Sequence, residues 1–204
     1  MLFFGHIGIT AGIVKACDIL VSTTKPDSSY QPDSSSRSGA VIAREQLRLY
    51  YLLNRIKGRI GSIDYRIVLP ASLLPDIIDK PVWFFVGSRA SLSGRDYAHT
   101  LLFNLVLLIG GLVLIRYRKS WLLIISLCSF VHLIFDQMWN SPVALLWPLL
   151  GPFSKEETAG WLSNILKGLF SYPEIMGLVI VLLFAYRLVM KKRVIGFLRD
   201  GAIG

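Results

Sequence analysis

Cysteine and histidine are both scarce in this 204-residue chain. Cys17 and Cys128 lie far apart, each within apolar sequence, so neither a disulfide framework nor a cysteine-ligated zinc site follows. Acidic residues are few as well, 13 against 22 Lys and Arg, which leaves a net charge of +9. Charge of either sign is nearly missing from residues 100–115, 121–135 and 175–190. Sequence-local catalytic signatures are missing too: there is no Gly-rich phosphate loop, G-x-S-x-G elbow or H-E-x-x-H helix. The start, MLFFGHIGIT, has no basic residue and no small-residue cleavage site, so a removable signal peptide is not expected.

What remains is apolar. The apolar fraction is 53% and the mean hydropathy +0.56, above the range of ordinary soluble domains. The expected fold class is all-α: a multi-pass membrane bundle of about four spans, with short interfacial or re-entrant helices. The spans are an imperfect first one at 2–22, then 100–115, 121–138 and 175–190. They are short against the roughly 20 residues a crossing needs. Flanking Tyr, Trp, Lys and Arg can close that gap by snorkelling or local bilayer thinning.

Residues 1–204 are expected to form a single membrane-embedded domain. Within it, 23–39 is Pro/Ser/Asp-rich and predicts a flexible linker. Residues 40–58 place Val41, Leu47, Tyr51, Leu52 and Ile56 at helical spacing among Arg44, Arg48, Arg55 and Lys57. That pattern predicts a basic amphipathic helix at an anionic membrane surface. Residues 64–83 contain Pro70 and Pro75 and predict a short or re-entrant helix, which brings Asp76 and Asp79 to a turn before Pro81. A loop is expected at 87–94, and an amphipathic surface helix at 154–169.

The basic residues cluster between or just after apolar runs, as the positive-inside rule describes. Membrane lipids are therefore the expected partners, and nucleic acid is not. If the turn 116–119, the tail 191–193 and the segment 40–66 face the cytoplasm, the polar residues of the apolar helices collect at the opposite, extracytoplasmic face of the cell membrane. These residues are His6, Asp76, Asp79, His99, His132 and Asp136.

His132 and Asp136 are four residues apart on one face of an apolar helix, where ionisable groups are costly and mark function by default. Their plainer role is an inter-helical hydrogen bond. His6 could be merely interfacial, His99 a solvated helix cap, and Asp76 with Asp79 a turn cap beside proline. Arg95 could stabilise an anionic substrate or simply snorkel. Asp18 and Asp96 are weaker candidates. Three imidazoles and three carboxylates nevertheless suit a divalent ion, zinc by preference, as one or two ions, with manganese or iron as alternatives. Asp79 or Asp136 would then orient or deprotonate a water.

The motifs occur in a recognisable order. Gly5-His6-Ile7-Gly8 is followed by the L-L-P-D-x-x-D of 73–79 and the G-R-x-x-x-H-T of 94–100. The H-L-x-x-D of 132–136 and the L-W-P of 146–148 complete it. Over about residues 1–150 this order resembles the membrane-bound metal-dependent hydrolases of the YdjM/DUF457 type. These in turn look distantly similar to zinc-dependent phospholipase C and P1 nuclease. The resemblance implies metal-ligand roles for His6, Asp76, Asp79, His99, His132 and Asp136. Many relatives read H-R-G-x-T-H-S where this chain begins with Gly94, so one histidine of that pattern is replaced here. The expected function is an integral-membrane hydrolase that uses metal-activated water on phosphoesters, soluble or lipid-linked. A non-enzymatic membrane scaffold and a small metal or proton transporter are the rivals.

Overall fold

A computed structural model describes residues 3–23, 61–90, 93–153 and 168–202, with isolated positions between 45 and 58 and at 166. Every regular element among the described residues is helical. Helix α1 spans Phe3–Thr23, α2 Tyr65–Ala71, α3 Leu74–Ala90, α4 Leu101–Leu114 and α5 Trp121–Phe135. After these come α6, Pro142–Leu145, α7, Tyr172–Met190, and α8, Val194–Asp200. Most of the expected linker 23–39 and basic helix 40–58 lies outside the described residues, as does most of the surface helix expected at 154–169.

Two helices are long and apolar enough to cross a membrane, Phe3–Val21 and Tyr172–Met190. The other two apolar stretches, Leu101–Tyr117 and Trp121–Phe135, fall short of a full crossing. Their ends have local causes. α4 tightens into a 3₁₀ turn at Ile115–Tyr117 and stops at Arg118, which has φ +58°. α5 stops three residues before the expected 138, because Gln137 takes the left-handed conformation at φ +52°.

Two further expectations are corrected. Asp76 and Asp79 do not sit at a turn; they occupy the first turns of α3, which runs on through Pro81 to Ala90. Pro75 falls in the first turn, where a missing N–H costs nothing. The stretch expected as a loop at 87–94 is therefore helical as far as Ala90. Helix α8 has no counterpart among the expected elements. It returns to the start of α2, where the Tyr65 amide donates to the Gly201 carbonyl at 2.9 Å. Arg66 donates to the carbonyls of Leu198 (2.8 Å) and Arg199 (2.7 Å) while pairing with Asp64 at 2.6 Å. The guanidinium beside Asp64 holds its carboxyl below the usual range.

The packing is inside-out relative to a water-soluble protein. The fully buried set includes His6, Thr10, Asp79, Asp96, His99, Asn104, Ser126, Ser129, His132 and Glu174. Phe84, Phe85, Val106, Ile109, Leu182 and Val189 stand more than half exposed. A polar interior under an apolar surface is the arrangement that lipid as solvent favours. The apolar core is small, built on Ala11, Tyr65, Val68, Ala71, Ile124 and Cys128.

Glycine permits the closest helix contacts. α1 and α7 run in parallel, start beside start, and a Cβ on Gly8 would overlap the Gly177 carbonyl. α4 and α5 form an antiparallel hairpin in which Gly111 lies against the backbone of Leu123.

Candidate metal centre

The helix ends that meet at one end of this bundle each supply one or two polar groups. These are the starts of α1, α3, α4 and α7 and the finish of α5. The basic turn 116–119 and the basic residues 191–193 lie at the other ends of α4, α5 and α7.

Four side chains converge there: Asp76 from the first turn of α3, His99 just before α4, and His132 and Asp136 from the end of α5. One ligand-type atom from each lies within 4.8 Å of all the others. Both imidazoles are held from behind. His99 Nδ1 is 2.7 Å from Asp79 Oδ2, and His132 Nδ1 is 2.8 Å from the Ser72 carbonyl oxygen. Each of these partners accepts, so each Nδ1 carries the proton. In the neutral rings both Nε2 atoms then present lone pairs, and they face one another 3.3 Å apart.

Two opposed lone pairs at that distance repel unless a cation lies between them or one ring takes up an extra proton. A tetrahedral ion with bonds of roughly 2.0–2.1 Å has ligand–ligand edges of about 3.3–3.4 Å, which the nitrogen pair matches. Asp76 Oδ1 lies 3.7 Å from His99 Nε2 and 3.9 Å from His132 Nε2. Asp136 Oδ2 lies 3.9 Å from both nitrogens. These edges are only slightly long, and an ion's attraction would shorten them. The donor set fits a divalent metal, with the acceptor behind each imidazole fixing its tautomer as metal sites require.

The remaining expected ligands are placed around this group rather than in it. Asp79 is 1% exposed and fully engaged. Besides the His99 ring it accepts the backbone amides of Asp96 (2.9 Å), Ala98 (3.0 Å) and His99 (3.2 Å). That leaves it orienting His99 and folding the 93–100 segment. His6 Nε2 is 3.0 Å from Asp136 Oδ1, and the His6 ring stacks on His132 with centroids 3.9 Å apart. It steers the carboxylate of Asp136, whose other oxygen faces the group.

Electrostatics separates the two facing carboxylates. Asp76 sits at a helix start, where the macrodipole favours an anion. Asp136 sits at the end of α5, where the same dipole opposes it. Asp136 therefore leans on cations and donors: His6, and Arg95, whose Nε is 3.5 Å from Oδ2. Lys80 holds the outer oxygen of Asp76 at 2.7 Å.

The two weaker candidates separate as well. Asp96 is buried and accepts the amides of Ser93 and Gly94, tying the loop that carries His99. Asp18 lies twelve residues beyond His6 along α1, about 18 Å away, outside the group. Gly94 has φ +85°, a turn conformation that a histidine there would adopt only with strain.

One residue escapes a reading of the sequence. Glu174 is 2% exposed in the first turn of α7, and its Oε2 accepts the Phe4 amide at 2.8 Å. It caps the start of α1 two residues before His6. An acid directly after Pro173 at the head of an apolar run is the available signal, and it reads equally well as an ordinary N-terminal helix residue.

No curated protein and no solved structure matches the chain. The profile of the family described as YdjM inner membrane protein matches residues 1–195, nearly the whole length, and the chain belongs to that family.

Proposed function

We propose that the chain is a multi-pass membrane hydrolase that uses a divalent metal to cleave phosphoesters, with its site at the extracytoplasmic face. The observation that carries this reading is the facing Nε2 pair of His99 and His132, each ring fixed through Nδ1. A divalent ion bound there would supply Lewis acidity and lower the pKa of a water ligand. His99, His132, Asp76 and Asp136 are the residues that would hold it, with zinc favoured by nitrogen and oxygen ligands at tetrahedral spacing.

The chain's own groups divide the other tasks. Asp79 and the Ser72 carbonyl fix the Nδ1–H tautomer of the two rings and aim both Nε2 atoms at the group. Asp136, steered by His6, is the carboxylate that would orient the attacking water. Arg95, beside it and half-open to solvent, would bind the anionic phosphoryl group. In this reading α4 and α5 complete a four-helix crossing with α1 and α7, the two shorter helices being accommodated by a locally thinned bilayer. The opposed basic ends 116–119 and 191–193 support an inward-facing cytoplasmic side. Membrane lipids are the surroundings and a phosphoester the substrate; no nucleic-acid partner is proposed.

Transport has less support. Below the site lie the hydroxyls of Thr10, Ser126 and Ser129, which have no hydrogen-bond partner among the described residues, but the next layer is apolar, with Ala11, Val68, Ala71 and Ile124 buried.

Elemental analysis of protein purified without chelator, paired with release of phosphate or alcohol from model phosphoesters, tests the reading. Stoichiometric zinc, manganese or iron is expected, with loss of both metal and turnover in His132→Ala. Wild-type protein free of metal, or a His132→Ala variant that binds and turns over normally, would sink it.

A further inference from the structure

Beside the metal group lies a cavity of about 240 Å³ that none of the six expected ligands enters. Its polar lining is Ser93, Arg95, Asn140 and Ser141; its apolar lining is residues 142–144 of α6 and Phe153. Arg95 belongs to both places. It lines the cavity, and its Nε is 3.5 Å from Asp136 Oδ2. The side chain is 41% exposed, and its other guanidinium nitrogens have no partner among the described residues.

We infer that this cavity receives the phosphate head group of a lipid and holds its phosphoryl end against the metal group. The inference rests on the hydrolase reading above and specifies its substrate. Charge sets the first requirement: Asp76, Asp79, Asp96 and Asp136 make this end of the bundle strongly acidic, so an anion approaches only where a fixed cation meets it. Among the described residues that line the cavity Arg95 is the one cation, and its fork of N–H donors suits phosphate oxygens. Asn140 and Ser141 add neutral donors for a hydroxylated head.

Size and surroundings set the second requirement. Pockets that enclose a drug-sized ligand run to about 300–1,000 Å³, so this one takes a head group and leaves the rest outside. Outside, the same 139–153 segment exposes Trp139 (57%), Leu149 (84%) and Leu150 (52%). Trp147 stacks on Phe153 at 5.1 Å, and Tyr97 meets both rings edge-on. Such an aromatic and leucine rim suits the headgroup level of the interface, where the chains of a lipid whose head enters the cavity would emerge.

The test measures binding, not turnover, in detergent-solubilised full-length protein loaded with zinc. The probes are a long-chain alkylphosphonate, which cannot be hydrolysed, and methylphosphonate and inorganic phosphate, which carry the same head without the chain. The alkylphosphonate is expected to bind at least about tenfold tighter than either short probe. Arg95→Gln and Ala144→Trp should each weaken it by about tenfold or more, with zinc content and thermal melting unchanged. Ala144→Trp fills the apolar wall, while Arg95 is exposed enough that Arg95→Gln folds whether or not the larger substitution does.

Equal binding of the short probes would overturn the lipid assignment. Undiminished alkylphosphonate binding in Arg95→Gln would overturn the cavity assignment while leaving metal and hydrolysis intact. Conversely, wild-type protein that takes up no zinc but loses the alkylphosphonate in Arg95→Gln would uphold the cavity and sink the hydrolase reading.

Discussion

Two carboxylates, Asp79 and Asp64, perform the same local task in opposite surroundings. Asp79, fully buried at the start of α3, gathers three backbone amides and the His99 ring. Asp64, at the start of α2, accepts the Arg66 amide and pairs with the Arg66 guanidinium, which in turn clasps the last turn of α8. Both tie a distant segment to a helix start. Around Asp79 water is excluded, so each partner it lost would be left unsatisfied at a cost of about 1–3 kcal/mol. Around Asp64 water can replace whatever is removed. Buried polar clamps therefore carry the architecture of the site end, and exposed ones only trim the tail.

Three experiments probe that contrast, from the largest effect to the smallest. Asp79→Ala strands three amides and an imidazole N–H together, and should destabilise the fold by roughly 3–5 kcal/mol. The milder Asp79→Asn keeps an acceptor and should fold, yet lower metal affinity about 10–100-fold by loosening His99. Chemical denaturation and competition with a metal chelator check the two arms. Metal affinity equal to wild type in Asp79→Asn would show that Asp79 does not position His99.

Glu174→Gln comes next. It preserves an acceptor for the Phe4 amide, so the change in stability should be about 1 kcal/mol or less. Glu174→Ala, which leaves that amide bare, should cost about 1–3 kcal/mol and loosen the first turn of α1. Amide hydrogen exchange across 3–8 reads this directly; equal protection in both variants would deny Glu174 its capping role.

The tail should respond least. Asp64 has a depressed carboxyl pKa in the folded chain, so its contribution is present above the unfolded value of about 3.9. It is lost as pH falls through the lower folded value. Acidification below about pH 4 should release α8 to proteases before the site end opens. Arg66→Ala should do the same at neutral pH with no change in metal content. Tail cleavage that tracks metal loss would couple the two regions and break the contrast.

The sequence announces the polar residues more clearly than their duties. His132 and Asp136 are legible because an i, i+4 pair of ionisable groups is costly in an otherwise uncharged helix, and such a cost points to function. His6, His99 and Asp76 follow from charge bias and motif order. The division between ligand and support is not legible. Asp76 and Asp79 are three residues apart in one helix, and only the 93–100 segment folding over Asp79 turns it away from the group. Helix length is misjudged at α5, where the non-glycine residue Gln137 takes positive φ, since a composition-based reading assigns such turns to glycine or asparagine.

By itself the sequence determined an all-helical, apolar chain with a few costly ionisable residues near the ends of its helices. Those outcomes depend on hydropathy and periodicity, which are summed along the chain. The tertiary structure alone decided that His99 and His132 face one another through Nε2, that Asp79 and His6 stand behind their neighbours, and that Glu174 caps α1. Each of these depends on a hydrogen bond between residues at least 17 positions apart, which only the packing of one helix end against another brings within reach.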